Sequence, residues 1–454
     1  MNAAAQAIRV NMARAASYMR SGLNGIDLET ELGCVLRVSE GRIVVRLKGA
    51  FIGEICHLLD RQGGRRVNAQ VVSVEGDTAI LSPFEPIGGL SVSTEVTGTG
   101  DGLKIRAGEW LVGRVVDALC RPLDNMPIPP GGRLRSVVTQ GTAPLDRGVI
   151  DRVFPTGIKA IDLFNSVGEG QRMAVFGSPG SGKSTLMSML ASHSDADIVV
   201  IAMIGERGRE VREFLERQIP AEVRSKSVVV ASTSDRPAME RVIAAHSAMT
   251  IAEDFRAQGK KVLLLFDSVT RFARALRDVG LAAGEQAVRN GLTASFYSEL
   301  PKLIERAGNS DKGSITAFFT VLYENEGVND AIADEVTSLT DGHIILDTAL
   351  AASGHYPAIN ILKSKSRLMR EIAPREVVRN AAFFRDMLAK YQEIELLVQV
   401  GEYKPGSDPE CDRAIRARPL IQTLSRQEVE ERVDLDHATY LAGRAADALR
   451  SKED

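Results

Sequence analysis

Cysteine is scarce in this chain. Cys34, Cys56, Cys120 and Cys411 are the four in 454 residues, and no pair has the spacing of a zinc site or a redox motif. They are expected to be reduced thiols in a cytosolic protein. The six histidines are equally dispersed. Long apolar runs are also missing. No stretch reaches the roughly 18 residues of a membrane-spanning helix, and the N-terminus lacks the apolar core of a secretion signal. The chain is therefore expected to be neither secreted nor membrane-spanning. Charge of one sign does not dominate either: 56 Lys and Arg stand against 59 Asp and Glu, a net charge of −3. That balance argues against nucleic acid or an anionic membrane as the main partner, although local basic patches remain compatible with it. What is present is an ordinary globular composition, 44% hydrophobic and 25% charged, ample for a large core without disulfides or structural metal. The length suggests two or three domains.

Texture divides the chain further. Residues 1–26 read as a helical tail, with a short helix over Ala3–Met19 carrying Arg9 and Arg14, next to Arg20; a solvated tail and a membrane or partner contact are both compatible with it. Residues 27–95 hold short β-rich runs, Cys34–Val38, Arg42–Leu47 and Ala79–Ser82, separated by turns at Glu40-Gly41, Gly63-Gly64 and Gly88-Gly89. This spacing predicts a small antiparallel β-barrel. Residues 96–147, with Pro122, Pro127, Pro129, Pro130 and Pro144, read as an irregular linker packed along the next domain. Over 148–375 the apolar runs Met173–Phe176, Ile198–Ile204, Val228–Ala231, Val262–Phe266 and Ile315–Val321 alternate with helical stretches such as Ala238–Gln258. That alternation predicts an α/β core with a doubly wound, mostly parallel sheet. Residues 376–454 are charged and helical.

The segment Gly177-Ser178-Pro179-Gly180-Ser181-Gly182-Lys183-Ser184 fits G-x-x-x-x-G-K-[S/T], between the strand Met173–Phe176 and a helix from Thr185. Glycines let successive backbone amides face phosphate oxygens, and the helix N-terminus adds its dipole. Lys183 can reach the β- and γ-phosphates of ATP, and the Ser184 hydroxyl can bind Mg²⁺. The apolar run Leu263–Phe266 ends in Asp267, the form of a carboxylate that positions the metal. Arg271, four residues on, either points into the same site or is a surface arginine. Glu206, in Gly205-Glu206-Arg207-Gly208-Arg209-Glu210, lies at the carboxyl end of a strand, where ligands bind in such sheets. It is either a group that orients the attacking water or a member of a salt bridge within a charged turn.

Taken together, these motifs resemble those of the type III secretion ATPases, relatives of the catalytic subunit of rotary ATP synthases. The likeness runs from about residue 30 to 425 through Ile52-Gly53-Glu54-Ile55-Cys56, Gly205–Val211, Asp267–Arg274, Gly313–Leu322, Asp341–Leu346, Gly354–Asn360 and Gly401–Pro409. The Ile-Gly-Glu-Ile-Cys stretch favours export ATPases over synthase subunits. The resemblance implies Glu206 as the catalytic glutamate, with Arg207 supporting phosphate contacts. It implies Asp267 holding the Mg²⁺ water shell, Arg271 near the γ-phosphate, and Tyr356 stacking on adenine. Arg367 would be an arginine finger reaching a neighbour's site. On spacing alone, Tyr356 reads as a core aromatic and Arg367 as a surface charge.

The resemblance further implies a cytoplasmic homohexamer, peripheral at the inner membrane, with a stator, a central stalk and chaperone–cargo complexes as partners. Thr233–Pro237 and Ala273–Gly280 look closer to the injectisome branch than to the flagellar one. Three departures stand out: Pro179-Gly180-Ser181-Gly182 where the family loop has Gly-Val-Gly before the lysine, Gly291–Ser295 in place of a proline-containing pore loop, and Lys365 beside the finger. One rival reading is a hexameric RNA translocase. Residues 27–95 offer only Phe51 and Phe84 as stacking aromatics, which counts against it. Another is a nucleotide-binding scaffold without turnover, against which stand Lys183, Glu206 and Asp267.

Overall fold

The structure, a computed structural model, describes residues 32–60, 64–139, 141, 143–323 and 330–451; the expected helix over Ala3–Met19 lies outside the described residues. Six strands, Leu32–Ser39, Arg42–Arg46, Glu54–Asp60, Arg65–Glu75, Thr78–Pro83 and Glu95–Gly102, form a closed antiparallel barrel in the order first, second, fifth, fourth, third, sixth. Side chains alternate across each strand, so Ile43, Val45, Leu58, Val67 and Leu81 fill the interior. The sixth strand runs past the boundary expected at 95. Its sequence, Glu-Val-Thr-Gly-Thr-Gly-Asp-Gly, has little β propensity, and its neighbours hold it instead. It pairs with the first and third strands, and the buried Glu54 carboxylate accepts the Gly100 amide at 2.8 Å.

The segment after the barrel is tied to the core. Lys104–Ala107 pairs with Arg133–Ser136, and Arg135 reaches the buried Asp254 at 2.7 Å. Val115–Val116 adds an outer strand to the main sheet.

That sheet has nine strands. Across it run Lys365–Ser366, Gly342–Ile345, Arg172–Gly177, Ser314–Leu322, Lys261–Asp267, Ile198–Ile204, Ser227–Ser232 and Val115–Val116, with Gly308–Asn309 paired beside Ser314–Leu322. From Gly342–Ile345 to Val115–Val116 every pair is parallel. Alternate residues face opposite layers. Phe176, Val200, Leu264 and Phe266 pack with the helices Ala238–Ala257, Val269–Ala283 and Ala294–Ile304; Val175, Ile201, Leu263 and Leu265 pack on the side of the helix Lys183–His193. Burial on both faces explains why these strands are continuous apolar runs. Parallel alignment also brings their carboxyl ends to one edge, where ligands bind in such sheets.

The altered segment Gly291–Ser295 begins in a small hairpin, Ala287–Arg289 with Leu292–Thr293, whose Leu292 and Thr293 are buried, and ends in the first residues of the helix Ala294–Ile304. The chain ends in the helices Arg375–Gln399, Pro409–Ser425 and Leu435–Arg450. They share an apolar core built from Phe164, Phe384, Met387, Leu424 and Leu449. Among the described residues no helix is long and apolar enough to cross a membrane.

Candidate active site

The strand Arg172–Gly177 runs into a loop that turns directly into the helix Lys183–His193. Gly180 and Gly182 sit at φ 81° and 93°, the left-handed region that glycine adopts without strain. The altered loop sequence thus keeps glycine where the turn demands it. Buried Ser181 closes the loop by donating its hydroxyl to the Ser178 carbonyl at 2.8 Å. Lys183 arches back over it, its Nζ donating to the carbonyls of Gly177 and Ser178 at 2.8 and 2.7 Å. Pro179 and Ser184 are exposed and Thr185 is half-buried, so the first helical turn presents a hydroxyl beside free amides and the positive end of the helix dipole.

Asp267 ends the strand Lys261–Asp267 in a buried position and accepts the Thr320 hydroxyl at 2.5 Å. Thr320 lies on Ser314–Leu322, the strand between that of Asp267 and that of the phosphate loop. Burial pushes the Asp267 carboxyl up, while the Thr320 hydroxyl and the charges of Lys183 and Arg271 pull it down. Glu206, also buried, follows the strand Ile198–Ile204. Its carboxylate meets the Arg271 guanidinium in a two-pronged contact, Nε to Oε1 at 2.8 Å and Nη2 to Oε2 at 3.1 Å. Arg271 Nη1 donates to the Gly205 carbonyl at 2.8 Å. Gly205 has φ 72°, and a Cβ there would come within 3.0 Å of the Arg271 Cβ, so the close approach depends on glycine. The salt bridge therefore reaches out of the charged turn to the helix Val269–Ala283.

Burial raises the Glu206 carboxyl to about 8, the charge of Asp267 and a contact with Glu210 add to the rise, and Arg271 opposes it. Burial lowers the Lys183 ammonium, with Asp267 and Glu206 opposing. These mutual influences bring Lys183, Glu206, Asp267 and Arg271 into one electrostatic cluster of two carboxyls and two cations. Mg²⁺ fits this donor set: Asp267 and the Ser184 hydroxyl are hard oxygens, and the carboxyls, raised chiefly by burial, would be held in their charged form by a nearby cation. Among the described residues no group of three or more His, Cys, Asp or Glu could hold a metal ion.

Three expected residues stand apart. Arg207 is 73% exposed at its side chain and meets Glu210 at 3.4 Å. Tyr356 is 46% exposed, in the loop that follows Gly342–Ile345, the strand beside the phosphate-loop strand. Arg367 is exposed and lies at the opposite edge of the sheet. Its amide bonds the Asp341 carbonyl at 2.9 Å, and the Asp341 amide bonds the Arg172 carbonyl at 2.8 Å. Arg172 begins the strand that Gly177 ends, so roughly 17 Å of extended chain separates the Arg367 backbone from its own phosphate loop. The Arg367 Nη2 donates to the Thr337 carbonyl at 3.0 Å. Sequence reasoning missed Thr320, whose only signal was a hydroxyl, one of two with Thr316, within the apolar run Ile315–Val321.

Comparison with known proteins agrees along most of the chain. Residues 157–366 match the ATP synthase alpha/beta family nucleotide-binding domain, residues 34–100 its beta-barrel domain, and residues 373–440 the T3SS EscN ATPase C-terminal domain. The type 3 secretion system ATPase of Sinorhizobium fredii is 43% identical, over 93% of this chain and 94% of the relative. The SPI-2 type 3 secretion system ATPase of Salmonella typhimurium is 45% identical, over 88% and 91%. The flagellum-specific ATP synthase of Bacillus subtilis is 41% identical, over 89% and 93%. Among solved structures, the assembled ATPase EscN of enteropathogenic E. coli superimposes with a TM-score of 0.86 at 44% identity, covering 91% of this chain and all of that one. The chain belongs to the type 3 secretion system ATPases, with their flagellum-specific relatives, within the ATP synthase alpha/beta family.

Proposed function

We propose that this ATPase hydrolyses MgATP at the interfaces of a homohexamer and uses the energy to strip chaperones from export substrates and unfold them. Lys183 and the amides of the loop and helix hold the β- and γ-phosphates. Ser184 and Asp267 would hold Mg²⁺, which supplies charge neutralisation on the phosphates. Glu206 orients the attacking water and takes its proton at a carboxylate oxygen, and Arg271 fixes the direction of that carboxylate. Arg207 supports the phosphates and Tyr356 stacks on adenine.

The observation that carries the interface reading is the position of Arg367. Lying roughly 17 Å from its own phosphate loop along the strand, it is out of reach of the γ-phosphate its own chain binds. Its exposed guanidinium, whose Nη2 rests on the Thr337 carbonyl, can be turned to serve a neighbour's. Assembled EscN, and EscN in complex with its central stalk EscO, support a ring and a stalk partner here. A stator and chaperone–cargo complexes complete the set of partners, and the ring is peripheral to the inner membrane. The rival RNA-binding barrel loses one of its two aromatics, because Phe84 is buried in the core.

The injectisome is favoured by type 3 secretion relatives at 43%, 46% and 45% identity; flagellar export is the second reading, on flagellum-specific relatives at 41% and 42%. Deleting the gene separates the two. Loss of effector secretion with swimming intact supports the injectisome, and loss of swimming with secretion intact assigns the chain to the flagellum. Specific ATPase activity measured across protein concentration tests the interface: it should rise steeply as rings form, and a flat profile overturns the reading.

A further inference from the structure

The C-terminal helices touch the nucleotide loops through three consecutive residues. Ser425 ends the helix Pro409–Ser425, and Arg426 and Gln427 follow. Opposite them stand Gly354, His355 and Tyr356. The Ser425 Oγ and His355 Nε2 lie 3.2 Å apart, both side chains buried. Arg426 Nη2 donates to the Gly354 carbonyl at 2.7 Å, and the Gln427 amide donates to the Tyr356 carbonyl at 3.0 Å. The Gln427 side chain, 5% exposed, then spends all its polar atoms. Its Oε1 accepts the Lys159 amide at 2.8 Å, and its Nε2 donates to the carbonyls of Gly157 and Glu431, each at 2.7 Å. A buried amide satisfied in this way costs more to displace than an exposed contact.

The turn at Gly157 is itself wedged against the end of the phosphate-loop helix. Gly157 has φ 70°, and a Cβ there would fall 2.6 Å from the Cβ of His193, the last residue of Lys183–His193. Gln427 thus spans two points: the backbone of the loop carrying Tyr356, and the far end of the helix whose first turn faces the phosphates. We infer that Gln427, backed by Ser425 and Arg426, is a positioning residue that sets the spacing between the base-stacking ring and the phosphate loop, and so sets discrimination for a nucleotide over a bare phosphate chain. This rests on the reading of Tyr356 as the base-stacking residue. A loop held in advance spares the ligand the cost of ordering it, so release of the latch weakens base binding and spares the phosphate end.

The test compares MgATP with magnesium tripolyphosphate, which has no base, in the assembled enzyme. Gln427→Met keeps the volume and removes the three side-chain hydrogen bonds. KM for ATP should rise about tenfold, with kcat and the inhibition constant of tripolyphosphate each within about twofold. Arg426→Ala, at an exposed position that folding tolerates, should move ATP alone in the same direction by about threefold. Tyr356→Ala should reproduce the selective loss. If Tyr356→Ala is selective and neither Gln427→Met nor Arg426→Ala is, the latch is overturned while base stacking stands. If ATP and tripolyphosphate weaken together in Gln427→Met, the residue is a general structural support and the inference fails. If Tyr356→Ala leaves the ratio unchanged, the base-stacking reading itself is what fails.

Discussion

At the phosphate end of the site, Lys183, Glu206 and Asp267 are buried and answer one another's charges within a single chain. At the outer end, Arg207, Tyr356 and Arg367 are exposed, and Arg367 lies a full strand length from the phosphate loop of its own chain. The difference separates what a lone subunit can finish from what it cannot. Taking two carboxyls and two cations out of water is costly unless they are mutually compensated, so the inner cluster has to be complete before any partner arrives. An exposed arginine carries no such cost and can wait for an interface.

The sharpest way to break this comparison is Arg367→Ala. If the finger acts across an interface, turnover in rings should fall by about 10³-fold or more, while nucleotide binding and ring assembly measured by light scattering stay as in the wild type. Mixing the variant with Lys183→Ala should restore part of the activity, since some interfaces then pair an intact loop with an intact finger. No recovery in verified mixed rings would return Arg367 to the surface charge that its spacing alone suggests. The inner end is tested by Glu206→Gln, which keeps shape and loses the base. Turnover should fall about 10²–10⁴-fold with MgATP affinity nearly unchanged; parallel loss of binding would make the residue structural.

A smaller effect probes how the inner end is held together. Thr320→Val is nearly isosteric and removes the hydroxyl that Asp267 accepts at 2.5 Å. Groups that orient a metal-binding carboxylate are worth about 10–100-fold in metal affinity or activity. The Mg²⁺ concentration for half-maximal ATP binding should therefore rise about tenfold, and an unchanged value would leave Thr320 as packing alone.

These residues also mark how far the chain can be read unaided. The phosphate loop, Glu206 and Asp267 were legible because each sits in or just after a continuous apolar run, and burial on both faces of a parallel sheet writes itself into composition. Gly205 and Gly182 were legible as motif members for the same reason. Thr320 and Gln427 were not, because each is a single polar residue whose partners lie far away in sequence: 53 positions for Thr320 and Asp267, and 270 for Gln427 and Gly157. No local pattern encodes such a pairing. The sixth barrel strand escaped for a related reason. Its three glycines read as turn, and only its two neighbours and Glu54 make it a strand.

The smallest effect concerns the protonation of the inner cluster before substrate binds. Burial and Asp267 raise the Glu206 carboxyl from its ordinary 4.5 to about 8, so the folded chain binds this proton more tightly than the unfolded chain does. Below about pH 4.5 both states hold the proton, and the stability that goes with the raised folded-state pKa is fully present. As pH rises from there towards 8, the unfolded chain releases its proton first, and the folded chain progressively loses the stability that tighter binding gave. Above about 8 the loss is complete. Glu206→Gln never titrates, so its melting temperature relative to the wild type should climb across this window and then level off. Asp162, raised to about 6 by burial, titrates in both proteins and cancels in the difference. Without nucleotide or Mg²⁺, the gain between pH 5 and pH 8.5 should be about 3 °C. A difference that stays flat with pH would mean that Arg271 keeps Glu206 ionised throughout, and the inner end would then enter catalysis with its base already charged.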